Sequence, residues 1–215
     1  MTPQEKEHFC ELMAGLFSPP DRGMIDEIRK GDVFPFLAGA LKAWGGDPAL
    51  LIGLQTGGSP EALLFELQEE YDRLFSAREE KFVSLIESPY KPWTQDGECR
   101  LAFAREKGLL GGDSALHMAA IFRHSGVEVP PRFASCPDHL VLELEFLSAL
   151  YAEATDHEVR HFIQDHLDWI PRLKEEMIRF RPHPFYLGAV ELLDLFLNHE
   201  RDRLERIHHG EKSLH

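Results

Sequence analysis

An all-α fold, a helical bundle, is predicted for this 215-residue chain by three features of its sequence. Apolar residues recur three and four positions apart through most of its length, no segment alternates apolar and polar residues with a period of two, and proline- or glycine-containing caps separate the apolar stripes. The resulting arrangement is one domain over 1–215, with helical portions at about 1–76 and 114–208 joined by a long loop at about 77–113. A hydrophobic content of 43% and an aromatic content of 10% belong to a chain that folds, and the length suffices for one sizeable core.

Thr2-Pro3-Gln4-Glu5 is a capping box with proline at the first helical position. It opens a helix that Ser18-Pro19-Pro20 ends. Shorter helices are predicted over 21–30, 33–44 and 47–55, punctuated by Gly31, Gly45-Gly46 and Gly57-Gly58. Ser59-Pro60 starts a stronger one, in which Leu63, Leu67, Tyr71, Leu74 and Phe75 share a stripe. Between Ala77 and Asp113 the stretch FVSLIESPYKPWTQDGE has no helical period and two prolines, so it reads as an extended connection, and a loop that long inside a compact domain is usually functional or a linker. Helices resume over 114–125, 137–153, 156–180 (interrupted near Pro171) and 184–208.

Net charge is −14, with 37 acidic residues against 23 basic ones. Such a surface repels nucleic acid and anionic lipid and attracts basic ligands, although solubility alone accounts for it. Cys10, Cys99 and Cys136 form no CxxC pair, which points to a reducing compartment. The N-terminus has no basic and apolar regions of a secretory signal. The uncharged stretch from Pro48 to Pro60 is far shorter than the ~20 apolar residues of a spanning helix. A cytoplasmic protein without stable membrane insertion is expected.

HEVRH, residues 157–161, spells the His-Glu-x-x-His pattern of zinc hydrolases, in which His157 and His161 would bind the metal and Glu158 would act as base. Two features oppose that reading. Thr155-Asp156-His157-Glu158 is itself a capping box, which turns Glu158 back onto the backbone, and Arg160 would place a cation beside the metal. A third ligand would have to come from His166, Glu175 or Glu176, and nothing singles one out. A capped, solvated helix start is the simpler account, so neither a metal nor a cofactor is expected.

The segment after Pro137 is more informative. Leu140, Leu144, Leu147 and Tyr151 lie on one arc, Leu142, Phe146 and Leu150 extend it, and Val141, Glu145 and Ser148 lie opposite. Glu143 falls inside the apolar arc, where a carboxylate is costly unless paired. His139 one turn earlier, or an arginine such as Arg100 or Arg123, is a candidate partner. Ser135-Cys136-Pro137-Asp138 reads as a helix cap, so Asp138 has an ordinary structural role open to it as well.

Glu70-Tyr71-Asp72-Arg73-Leu74-Phe75, Ser88-Pro89-Tyr90-Lys91-Pro92-Trp93, and Pro137-Asp138-His139-Leu140 followed by Glu143-Leu144-Glu145-Phe146-Leu147 are three stretches whose order and spacing go together. In them the chain resembles the TorD/DmsD/NarJ family of molybdoenzyme-maturation chaperones. His166-Leu167-Asp168-Trp169 and Pro184-Phe185-Tyr186 resemble later landmarks of the same family, whereas Cys136 departs from the acidic residue many members have there. The resemblance implies a TorD-like all-helical fold and a cytosolic, non-enzymatic chaperone. Its partners would be an apo-molybdoenzyme catalytic subunit and that subunit's twin-arginine leader peptide, with export machinery as a further contact. GTP binding, proposed for some relatives, finds no P-loop sequence here.

A leader offers two arginines followed by an apolar helix, so its receptor needs carboxylates beside an apolar groove. Asp138 and Glu143 are the candidates for the arginines. Tyr71, Leu74, Phe75, Trp93 and Phe146 are the candidates for the apolar part, with core packing as the plainer role for Leu74 and Phe75. His139 would orient Asp138 or respond to pH. A zinc-dependent hydrolase and a helical adaptor without a leader site are the alternative functions.

Overall fold

The computed structural model describes residues 1–55 and 57–212. Among them are nine α-helices and no strand. Helix α1 (Pro3–Leu16) starts at the predicted capping box: the Thr2 hydroxyl accepts from the Glu5 N–H at 3.2 Å and the Glu5 carboxylate accepts from the Thr2 N–H at 2.7 Å. Asp21 caps α2 (Arg22–Ile28) and Ser59 caps α4 (Pro60–Phe75), with α3 (Val33–Ala43) between them. The helix expected over 47–55 shrinks to one 3-10 turn at Pro48–Leu51, because Gly53 meets the backbone of Pro184 and turns the chain there.

The second portion holds α5 (Asp113–Ser125), α6 (Leu140–Glu153), α7 (Asp156–His166), α8 (Ile170–Arg179) and α9 (Pro184–Lys212). The stretch expected over 156–180 is two helices, and Pro171 sits in the first turn of α8, where its missing N–H is no loss. Helix α6 begins three residues later than expected. His139, not Ser135, is its N-cap, with Nδ1 accepting from the Val141 N–H at 3.2 Å.

Helix α6 is the centre of the bundle. Val141 and Ser148, placed opposite the apolar arc in the sequence, are buried too, and Glu145 is exposed. The reason is α1, which packs along α6 across more than a hundred intervening residues, while α7, α8 and α1 all meet α9. Phe9 and Met13, Leu63 and Leu67, Leu144 and Leu147, and Phe196 therefore belong to one continuous apolar cluster drawn from both sides of the long loop.

That loop, residues 76–112, is irregular apart from a 3-10 turn at Ser88–Tyr90. It is strapped to the start of α6 by an isolated antiparallel bridge between Ile86 and His139. The Glu87 N–H donates to the Asp138 carbonyl at 2.9 Å, and the Leu140 N–H donates to the Leu85 carbonyl at 2.8 Å. Its far end closes at Gly112, whose φ of 84° and whose Trp93 carbonyl, 2.2 Å from where a Cβ would stand, both require glycine.

Candidate functional site

The strap brings a set of ionisable side chains beneath it. Glu87 comes from the loop, Asp138 and Glu143 from the start of α6, and His166 from the end of α7. All four are buried. Glu87 Oε2 lies 2.9 Å from His166 Nδ1, and its other oxygen lies 2.5 Å from Lys91 Nζ. Lys91 has two further partners, the Asp168 carboxylate and the Asp165 carbonyl, each at 2.6 Å. His166 Nε2 lies 2.8 Å from Nδ1 of His117 on α5, so a chain of contacts runs from the buried glutamate to the surface.

Asp138 accepts from the Ser88 N–H at 2.8 Å and from the Ser88 hydroxyl. Glu143 accepts from Trp169 Nε1 at 3.2 Å, and the same indole N–H reaches the His166 carbonyl at 2.8 Å. Trp169 stacks on Tyr90 of the loop at 4.9 Å between ring centres, and Arg172 Nη1 donates to the Tyr90 carbonyl at 2.8 Å. The contacts of Ser88 and Tyr90 tie residues 84–91 to the helices.

The electrostatics differ from one acid to the next. Burial, then the charges of Glu87 and Asp138, holds the Glu143 carboxyl well above the usual carboxylate range. Burial opposes ionisation of Glu87 as well, but His166 and Lys91 outweigh it and hold that carboxyl below its ordinary value. Burial raises Asp138 against the bonds from Ser88. Burial, then the charge of Arg132, pushes His139 down to about 4.

These findings revise the expected pairings. Glu143 meets Trp169 and Glu87 instead of His139, Arg100 or Arg123. His139 is a neutral cap near pH 7, so it neither orients Asp138 nor titrates in the physiological range. Asp138 serves the loop backbone at Ser88, not the first turn of α6.

The residues expected to bind a peptide fall into three places. Asp138, His139 and Glu143 lie under the strap, and Phe146 lies one turn beyond, packed between Phe122 and Phe162. Tyr71 and Phe75 form an aromatic group with Tyr186, and Leu74 beside them is fully buried. Trp93, half-buried, stands at the other end of the loop against Phe103. Sequence reasoning missed Glu87, Ser88, Lys91, His117 and Trp169 as site residues. An available sign was a single glutamate closing the apolar run Val83-Ser84-Leu85-Ile86.

Two concavities border the strap. One, of about 460 Å³, is lined by Lys91, Asp113, His117, Asp165 and Asp168 and has an acidic balance. The other, of about 670 Å³, is lined by the apolar Phe82, Ile86, Pro89, Tyr90 and Leu110 together with the charged Lys107, Arg172, Glu175, Glu176 and Arg179. The HEVRH stretch shows a different arrangement. The Glu158 carboxylate accepts from the Thr155 N–H at 2.9 Å and hydroxyl at 2.7 Å as the capping box requires, and among the described residues no third ligand joins His157 and His161.

Residues 40–175 match the family described as nitrate reductase delta subunit, which is well over half of the chain. The chaperone protein TorD of Vibrio cholerae serotype O1 is 28% identical over 114 residues, 47% of this chain and 52% of that protein. The chaperone protein TorD of Vibrio parahaemolyticus serotype O3:K6 is 31% identical over 103 residues, 42% of this chain and 48% of that protein. The chain thus spans about half the length of the curated relatives it matches. A crystal structure described as a redox enzyme maturation protein from Archaeoglobus fulgidus superposes with a TM-score of 0.51 at 20% identity, covering 93% of both chains, and shares the fold.

Proposed function

The chain belongs to the nitrate reductase delta subunit family, and from that premise we propose that it is a cytoplasmic chaperone of molybdoenzyme maturation, without an enzymatic role. It receives the twin-arginine leader of an apo catalytic subunit and releases it after cofactor insertion. The observation that carries this reading is the strap of residues 84–91, flanked by an acidic depression on one side and an apolar groove on the other. Two arginines require carboxylates with free acceptor capacity, and the apolar part of a leader requires a non-polar trough. Asp168, half-exposed, and Asp165 supply the first, and Phe82, Ile86 and Leu110 line the second.

The other expected residues enter in graded roles. Trp93 is an accessible anchor. Asp138, His139 and Glu143 fix the strap and meet the leader when it lifts. Phe146, Tyr71, Leu74 and Phe75 support the adjoining helices. Export machinery is a contact of the loaded complex.

Titration calorimetry with the leader peptide of the molybdoenzyme encoded beside this chain tests the reading. Low-micromolar binding is expected, weakened about tenfold when Lys-Lys replaces the arginines, since an ammonium cannot make the bidentate contact. Asp168→Asn and Asp138→Ala should each weaken it further. Equal affinity for both leaders, or no heat, would remove leader reading and favour an adaptor.

A further inference from the structure

Glu87, Glu143 and His166 come from three different elements, and one ligand atom of each lies within 4.8 Å of the other two. All three side chains are buried. Glu143 Oε1 has no donor facing it from the protein when the carboxylate is ionised. A buried carboxylate oxygen without a donor is costly unless a cation meets it. We propose that the point between these groups is a binding site for one divalent transition-metal ion, of the zinc or cobalt type.

Two carboxylate oxygens and one imidazole nitrogen form a borderline donor set that suits Zn²⁺ and its first-row neighbours. Zn–N and Zn–O bonds of about 2.0–2.2 Å place the ligand atoms of a tetrahedral ion about 3.3–3.6 Å apart, so atoms that stand within 4.8 Å of one another draw together by up to about an ångström on loading. Two carboxylates neutralise the ion, which a buried site requires. Lys91 is displaced from Glu87 without being orphaned, because Asp168 and the Asp165 carbonyl already hold its ammonium. His117 stands in the second layer, its Nδ1 2.8 Å from His166 Nε2, so that in the loaded site His166 can carry its hydrogen on Nε2 and present Nδ1 to the metal.

Loading binds one M²⁺ to three unprotonated donor atoms; the hydrogen shared by His166 Nδ1 and Glu87 Oε2 leaves that nitrogen, protons displaced from the three ligands pass to bulk solvent, and no oxidation state changes. The metal would pin the strap to α6 and α7 at the point where the chain's buried acids converge. The proposal does not depend on leader binding, because its readout needs no client.

The test uses the full chain stripped with a chelator and titrated with Co²⁺, followed by Zn²⁺ competition. One Co²⁺ per chain is expected, with visible ligand-field absorption that Zn²⁺ abolishes. Proton release should appear as buffer-dependent heat. Glu143→Gln, which keeps volume and the hydrogen bond, should lose at least a hundredfold in affinity, and His117→Gln about ten- to a hundredfold. The exposed His157/His161 pair is a competing surface site, so the paired variant His157→Gln/His161→Gln should leave the spectrum unchanged. No cobalt spectrum with the unmodified chain, or a spectrum that disappears with the surface pair and survives Glu143→Gln, overturns the site. Leader binding measured on the same variants stands or falls separately.

Discussion

Helix α7 carries a histidine–glutamate grouping at each end, and the two differ in how they are made. At its start His157, Glu158 and His161 are adjacent in sequence and exposed, and Glu158 spends its carboxylate on the helix N-terminus. At its end His166 is buried and meets Glu87 from seventy-nine residues away and His117 from forty-nine. The first grouping is a local matter of helix capping. The second exists only because the long loop returns across α6, and its Glu87 and His166 have been taken out of water. Proximity in sequence says little about chemistry here, while burial and convergence from several elements say much more.

The largest test of that contrast is Glu87→Ala. It leaves buried His166 without its carboxylate partner, while Lys91 keeps Asp168 and the Asp165 carbonyl, and breaking a buried pair costs about 3–5 kcal/mol. Denaturant unfolding should show this loss, together with raised hydrogen exchange over residues 84–94. A loss below about 1 kcal/mol would mean the strap is held by its backbone bonds and the Tyr90–Trp169 stack alone.

This test also shows what the sequence made legible. The capping boxes at Thr2–Glu5 and Thr155–Glu158, the Ser59 cap and the long irregular loop were all readable, because each is decided within four or five residues or by the absence of a period. The start of α6 was not, since its register depends on the bridge between Ile86 and His139. Nor was the partner of Glu143. An isolated carboxylate in an apolar arc announces that a partner exists, but which one depends on where the loop lies. The burial of Val141 and Ser148 follows from α1 packing on α6, a contact between the chain's opposite portions that periodicity does not encode.

Glu143→Gln sharpens the comparison through pH. The folded state keeps the Glu143 proton and the unfolded state releases it above about 4.3, so the native form binds more protons there. Stability from this group therefore falls as pH rises, by at most about 1.4 kcal/mol per pH unit. Glutamine removes that slope. The variant should match the parent below the unfolded value and exceed it increasingly above. Glu87 runs the other way: its lowered carboxyl contributes stability above the unfolded value that is lost as acid protonates it. Urea unfolding of parent and variant from about pH 5 to pH 7 measures the difference; parallel curves would show that Glu143 ionises freely.

The smallest effects belong to the other end of α7. Thr155→Ala removes the hydroxyl that accepts from the Glu158 N–H, and loss of such a cap costs about 1 kcal/mol. His157→Gln with His161→Gln touches only exposed rings, whose centres lie 4.2 Å apart with their planes tilted by 38°, and should stay within about 0.5 kcal/mol of the parent. The order matters more than either value. If the two histidines mattered more than Thr155, HEVRH would have a role beyond starting a helix, and a site at that end of α7 would have to be sought around Arg160, which reaches His161 at 3.1 Å. With the expected order, the letters that most resemble a catalytic motif are accounted for by the same capping physics that starts α1.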